Sequence, residues 1–509
     1  MALQIYNSMG RKREEFIPVE AGKCGFYGCG PTVYNYAHIG NLRAYVFLDT
    51  LDRILRFLGY EIKHVMNITD IGHLTGDADE GEDKMLNTAK QRGQSVLEVA
   101  DFYTKAFFAD IEKLNIRKPD VVCKATDHIQ EMIDLVKRLE ERGHTYMAGG
   151  NLYFDIATFP DYGKLANINL DDLKAGARID VDENKRNPYD FVLWFTKSKF
   201  ENQALVWDSP WGVGYPGWHL ECSAMSMKYL GEHFDIHTGG IDHIPIHHTN
   251  EIAQSECATG QKWVNYWLHN EFLVMSKGKD GDSEKMSKSS GGFLTLQTLI
   301  EKGYDALDYR FFLLGGHYRS QLAFSWDAMD SAKNARKTLS QRFEKVLTVA
   351  IEEGLSIDSI VKLATSENIA DFSSIVFTDS AKEYLKAFTD AVEDDLATPR
   401  ALSQLQMAIK SKDLSKTEIV NLVAQMDFVL GLNLVHNAVE AHNTTKETAN
   451  AVKSTNESTG DAEIDALVIE RNNAKKEKNY ARSDEIRDLL KEKGIVLIDT
   501  KDGTTWERV

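Results

Sequence analysis

With 509 residues the chain is too long for one ordinary core, so about two to four domains are expected. Its 43% hydrophobic and 27% charged content are those of a soluble globular protein, with no apolar run of the roughly eighteen residues that a membrane span needs. A formal net charge of −18 excludes binding to nucleic acid by bulk charge alone, so any such partner must dock on local basic patches.

The start, MALQIYNSMGRKREEF, lacks the apolar core of a signal peptide and predicts a cytoplasmic protein. Cys24 to Asn41, CGFYGCGPTVYNYAHIGN, reads as strand, glycine-rich turn and helix start, because apolar residues at Leu42, Tyr45, Val46, Leu55 and Leu58 follow a helical period as far as Gly59. Cys29 therefore falls at the carboxyl end of a strand, and His38, Gly40 and Asn41 at a helix N-terminus. In an open α/β sheet that crevice takes ligands, and unpaired amides with the positive end of the helix dipole suit a polyphosphate. Glu61 to Met66 supplies the second strand of a βαβ unit, Leu74 to Glu82 an acidic loop, and Ser95 to Asn115 a core-facing helix. Asp120 to Tyr153 continues as strand, helix and strand, and the polar text to Asn202, broken by PYDFVLWF, reads as part of an insertion between two halves of a nucleotide-binding sheet.

The second half starts at Trp207, with a helix from about Trp218 to Leu230, a strand Phe234 to His237, the turn Thr238 to Asp242, a helix from about His247 to Ala258 and a strand near Phe272 to Met275. The lysine- and glycine-rich loop SKGKDGDSEKMSKSSGG follows, then helical text from Ser325 to Leu432. Asn433 to Asp461, poor in large apolar residues, predicts a flexible linker, and the tail predicts a charged helix pair, a strand at Ile495 to Ile498 and a last turn with Trp506. The fold class expected is a Rossmann-type parallel α/β sheet with an inserted connective domain, followed by a helical bundle and a small C-terminal α+β domain. Its divisions are 1–118 and 204–276 for the two halves of the nucleotide-binding sheet, 119–203 for the insertion, 277–325 for the KMSKS loop and the region after it, 326–435 for the bundle, 436–461 for the linker and 462–509 for the tail.

Five cysteines, Cys24, Cys29, Cys123, Cys222 and Cys257, are odd in number and form no CxxC pair, which argues against a disulfide framework. Six of fifteen histidines lie between His219 and His248, a clustering that asks for a cause. His247 and Glu251 stand four apart on one helix, so both side chains leave the same face. With Cys29 and Cys222 they make two thiolates, an imidazole and a carboxylate, a donor set suited to tetrahedral Zn²⁺. His248, Cys24 and Cys257 are rivals, although His248 points about a hundred degrees away from His247 on a helix.

In order along the chain, CGPTVYNYAHIGN (Cys29 to Asn41), RFLGY, NITDI, GWHLECSAM, HHTNEIAQSE, KMSKS (Lys285 to Ser289) and ARSDEIRDLL resemble the cysteinyl-tRNA synthetases, a class I aminoacyl-tRNA synthetase family, and the likeness runs from Tyr6 to the end. The resemblance implies an ATP-dependent ligase that forms cysteinyl-adenylate and then charges tRNA(Cys), using one Zn²⁺ per subunit held by Cys29, Cys222, His247 and Glu251, and Mg²⁺ with ATP. It implies catalytic roles for His38, Asn41, Lys285 and Lys288, and ATP contacts from His38, Gly40, Asn41, Gly240, Asp242 and Lys288. Cys29, Thr69 and Trp218 would line the amino-acid pocket, the tail would be an anticodon-binding domain with Arg482, Arg487 and Trp506 as candidates, and the chain would be a monomer.

Two positions depart from the family pattern: Asn41 gives HIGN where the signature has HIGH, and Thr249 stands where an acid is common. Asparagine still donates hydrogen bonds but carries no charge. The rival readings are a cysteine-activating paralogue with an amino-sugar acceptor, which would lack the tail, and a noncatalytic tRNA-binding relative.

Overall fold

A computed structural model describes residues 2–71, 84–168, 183–197, 205–276, 293–366, 368–456, 462–476, 479–500 and 503–508. They form two compact units, Met1–Ala438 and Val439–Val509. Among the described residues no helix is long and apolar enough to cross a membrane.

The first unit opens with an antiparallel hairpin, β1 (Gln4–Asn7) and β2 (Lys12–Glu15). Its centre is a five-stranded parallel sheet built from β3 (Lys23–Gly28), β4 (Glu61–Ile68), β5 (Val121–Lys124), β10 (Phe234–Gly240) and β11 (Val264–Asn270), in the order β11-β10-β3-β4-β5. Phe26 and Tyr27, neighbours in β3, are both fully buried, as expected of a sheet covered on both faces. Helix α1 (Ile39–Phe57) carries the chain from β3 to β4, and α2 (Lys84–Arg92) and α3 (Val96–Lys113) precede β5. Because the chain leaves β3 through β4 and β5 to one side, while β10 and β11 lie on the other, the topological switch falls between β3 and β10. Ligands bind at such a switch, at the carboxyl ends of the strands.

Helix α4 (Ile129–Glu141) leads to a separate antiparallel sheet of β6 (Thr145–Ala148), β7 (Asn151–Phe154), β8 (Phe191–Phe195) and β9 (Tyr215–Pro216). Then come α5 (Trp218–Leu230) before β10 and α6 (His247–Thr259) before β11. Two short strands, β12 (Leu273–Met275) and β13 (Leu322–Phe324), pair in parallel, and the helices Trp326–Glu352, Asp379–Glu393, Thr398–Lys410 and Lys416–Leu430 follow. In the second unit, helices Ala462–Lys476 and Tyr480–Glu492 enclose Ile464, Val468, Ile486 and Leu490 beside a hairpin of Ile495–Thr500 and Gly503–Arg508.

Four differences from the sequence expectation have physical reasons. Val121–Lys124 pairs with β4 in the main sheet instead of opening the insertion, and Tyr215–Pro216 joins the inserted sheet, so the boundaries at 119 and 203 shift at both ends. Strand β11, VNYWLHN, carries histidine and asparagines that mask its apolar character, yet all its residues except Asn265 are buried. The stretch expected as a linker is helix Leu434–Asn456 for most of its length, because Leu434, Val435, Ala438 and Val439 bury its first turns and alanine, glutamate and lysine favour a helix beyond them. Trp506 lies on a strand opposite Leu497, not in a final turn. The expected acidic loop Leu74 to Glu82 lies outside the described residues.

Candidate active site and metal centre

The residues that bear chemistry gather at the carboxyl edge of the parallel sheet. Cys29 follows β3, and its amide donates to the Thr238 carbonyl of β10 across the switch point, 3.3 Å. A Cβ on Gly30 would lie 1.6 Å from the Asn67 carbonyl oxygen, so only glycine lets this turn pass the end of β4. The turn is held there by the Gly30 amide donating to Asn67 Oδ1 (2.8 Å) and by Thr69, whose backbone bonds Pro31 and Val33.

Cys29, Cys222, His247 and Glu251 each bring one donor atom within 4.8 Å of the others. Two further sets overlap this one, Cys29 with His243, His247 and His248, and Cys29 with His237, His248 and Glu251. Cys222 and Glu251 are buried, and His247 is gripped from outside: its Nδ1 lies 2.9 Å from His219 Nδ1, and Trp218 stacks on its ring at 4.0 Å between centroids. Its Nε2 is thereby turned inward, 2.8 Å from Glu251. The other Glu251 oxygen lies 2.9 Å from His237 Nε2, yet neither carboxylate oxygen receives an aligned hydrogen bond. A fully buried carboxylate without an in-line donor, beside two sulfurs and an imidazole, fits a cation.

The electrostatics agree. The hydrogen bond with Cys222 pulls the Cys29 thiol well below its ordinary value, against burial and with help from His243, His247 and His248. Cys222 is pushed well up by that same bond and by burial. Burial opposes charge on His247, but Glu251 and Cys29 outweigh it and raise the imidazole to about 10. His248, whose Nε2 lies 3.5 Å from Cys29 Sγ, is lowered to about 4 by burial; its Nδ1 lies 2.8 Å from His269 Nε2.

Thr69 is buried and its hydroxyl donates to Glu221 Oε2, 2.8 Å. Burial lifts that carboxyl to about 8, with Thr69 opposing. Glu221, His219, His237, His243 and His269 were not singled out by sequence reasoning. The histidine clustering was the available signal for all of them but Glu221 and His269, which carried none.

At the other side of the edge, His38 caps α1: its Nδ1 accepts from the Asn41 amide (3.1 Å), and Asn41 Oδ1 accepts from the His38 amide (3.3 Å), a reciprocal capping box. Gly40 lies in the first turn, where a Cβ would crowd the His38 ring at 2.9 Å. Gly240 ends β10, and a Cβ there would sit 2.4 Å from Asp242 Oδ1 in the tight turn that follows. Lys285 and Lys288 lie outside the described residues.

This arrangement has relatives. The family of tRNA synthetases class I (C), catalytic domain, matches residues 15–334. A cysteine–tRNA ligase of Treponema denticola is 60% identical over the whole of both chains, and those of Treponema pallidum and Borreliella burgdorferi are 47% and 45% identical, again over both full lengths. The chain belongs to the cysteine–tRNA ligase family. The wider fold is shared with the Mycobacterium tuberculosis methionyl-tRNA synthetase bound by methionyl-adenylate, with a TM-score of 0.53 at 15% identity over 82% of this chain and 92% of that one. An Agrobacterium radiobacter LeuRS in ternary complex with tRNA and LeuAMS gives the same TM-score at 11% identity over 83% and 85% of the two chains, and both likenesses speak to the fold alone. In this member of the family a two-sulfur donor set and a capped helix start stand on one sheet edge.

Proposed function

We propose that this chain activates L-cysteine with ATP and transfers the cysteinyl group to the 3′ end of tRNA(Cys), with Zn²⁺ at Cys29, Cys222, His247 and Glu251. The observation that carries the reading is the convergence of those four donors beside the switch point. Zn²⁺ held there would take the substrate sulfur as thiolate and bind the hydroxyl of serine poorly. Thr69, set by Glu221, and Trp218, stacked on His247, would orient the amino acid above the donors.

In the first step a cysteine carboxylate oxygen attacks the α-phosphorus of ATP, the bond to the bridging oxygen breaks, and pyrophosphate leaves. Negative charge grows on the phosphoryl oxygens, which the amides at the start of α1, His38, Asn41, Lys285, Lys288 and Mg²⁺ with ATP would stabilise. Gly240 and Asp242 would take the ribose hydroxyls. In the second step the 2′-hydroxyl of the terminal ribose attacks the acyl carbon and AMP departs. The tail, 462–509, would contact the anticodon with Arg482, Arg487 and Trp506, and the protein would act as a cytoplasmic monomer. The test is cysteine-dependent ATP–pyrophosphate exchange, charging of tRNA(Cys), and zinc content of the purified protein. Exchange without charging would replace the reading with a ligase for another acceptor; neither activity would leave a binding protein.

Asn41 fixes the helix start through its amide oxygen, leaving its N–H groups to serve phosphate or ribose. Asn41→His should therefore change the exchange rate by less than about threefold, a small effect on the scale where tenfold is 1.4 kcal/mol. A gain of orders of magnitude would show that the position needs a proton or a charge.

A further inference from the structure

Arg43 lies in the second turn of α1, and its side chain is buried. Its guanidinium is spent on backbone carbonyls. Nη1 donates to Phe272, and Nη2 to Ser320 (2.5 Å), with His317 and Tyr318 at 3.3 and 3.5 Å. These acceptors form two groups with one thing in common: Phe272 immediately precedes β12, and 317–320 lead into β13, its parallel partner. The two stretches are also stitched to each other, Glu271 N donating to Tyr318 O (2.8 Å) and Leu322 N to Phe272 O (3.2 Å).

The strand β12 leads at Ser276 into 277–292, the stretch of sequence that contains Lys285 and Lys288. Where the described chain resumes, it meets α1 again: Thr295 pairs with His38, the Ile39 amide donates to Leu294 O (2.8 Å), and the Phe293 ring stands edge-on to His38. Both flanks of that stretch are thus tied to the first two turns of one helix. On the far side the 317–320 turn is gripped by Asp395, whose carboxylate accepts from Tyr318 OH (2.7 Å) and Arg319 Nε (2.7 Å). Asp395 and Leu396 both hold φ of +55°, a left-handed backbone that non-glycine residues keep only where the surroundings over-determine it.

We infer that Arg43 is a positioning residue for adenylate formation, fixing the β12–β13 pair at a set distance from His38 and Asn41. A planar fork reaching carbonyls of two separate stretches is a task for arginine; a lysine offers one point and spans neither pair well. The inference rests on the ATP-dependent reading given above, and parent protein without cysteine-dependent exchange would remove both.

The test uses full-length Arg43→Gln and Arg43→Lys, with exchange kinetics in ATP and in cysteine, zinc content and thermal unfolding. For Arg43→Gln the maximal exchange rate should fall about 10²-fold, as for a misplacement near 1 Å, with KM for cysteine and zinc content unchanged. Arg43→Lys should recover about a tenth of the parent rate at most. A folded Arg43→Gln protein within threefold of the parent, or one that loses zinc and cysteine affinity in step with rate, overturns the inference. Should Arg43→Gln fail to fold, Tyr318→Phe decides: it removes the hydroxyl bond to Asp395 while keeping the ring against Phe47, and an unaltered exchange rate there overturns the inference as well.

Discussion

Cys222→Ser should yield a folded protein with little bound zinc, a cysteine-dependent exchange rate reduced by about 10³-fold or more, and discrimination between cysteine and serine largely gone. The side chain is 2% exposed and the replacement is nearly isosteric, so packing is disturbed little. What changes is the donor: a hydroxyl is harder and gives up its proton reluctantly, and the remaining Cys29, His247 and Glu251 make a weaker set. The size follows from the selectivity such a ligase needs. Accuracy of about 10⁴ to 10⁵ corresponds to roughly 5 to 7 kcal/mol, whereas burying one extra atom gives about 1 to 3, and the chemistry of sulfur at this cluster must supply the difference. Zinc per chain and exchange measured with cysteine and with serine check the result. Cys257→Ser on the same helix as His247 is the control: Cys257 belongs to none of the donor sets among the described residues, so zinc should stay. A Cys222→Ser protein that keeps its zinc and its preference for cysteine would refute the assigned ligand set.

The parts of this site that sequence could reveal are those governed by local spacing or by the rules of parallel sheets. His247 and Glu251 stand one helical turn apart, and Cys29 follows a strand, so both positions can be placed before any coordinates exist. The same holds for α5 and α6, whose ends at Gly231 and Gly260 are marked by glycines with positive φ. Glu221 is different. From helix α5 its side chain meets Thr69 just past the end of β4, a contact across 152 positions of sequence that no periodicity encodes. His269 was equally hidden, since it sits in a strand whose mixed composition conceals its burial and reaches His248 only through the sheet's neighbour order. The helix at Leu434–Asn456 escaped because a composition poor in apolar residues forecasts the absence of a core, which is a separate matter from the backbone's local preference.

Arg310→Met should lower unfolding free energy by about 3 to 5 kcal/mol, the loss usual when one member of a buried ion pair is removed. Arg310 has no exposure at all. It donates to Asp49 Oδ2 of α1, to the carbonyl of Leu430 (2.7 Å), which ends the helix Lys416–Leu430, and to that of Leu114 (3.0 Å) beyond α3. Asp49 also accepts from Arg53 Nε (2.8 Å) and the Arg117 amide (2.8 Å). Methionine fills much of the volume but takes the Arg310 donor from those carbonyls and leaves Asp49 Oδ2 with Arg53 alone, so the penalty comes from lost buried pairing more than from a cavity. The pH dependence follows from the same contacts. Burial pushes the Asp49 carboxyl up, but Arg53 and Arg310 override it and hold it below its ordinary value. A depressed folded value means stability present above the unfolded value of about 4 and lost as pH falls through the folded one. Removing Arg310 weakens that depression, so the acid limb of the stability curve should move to higher pH. Urea unfolding of parent and variant between neutral and acid pH measures both effects. An unchanged urea midpoint at neutral pH would mean that the Arg310 tie between α1 and the helix ending at Leu430 contributes nothing net, and that α1 is held by its other contacts, among them Arg53 on the Phe428 carbonyl (2.9 Å) and apolar packing.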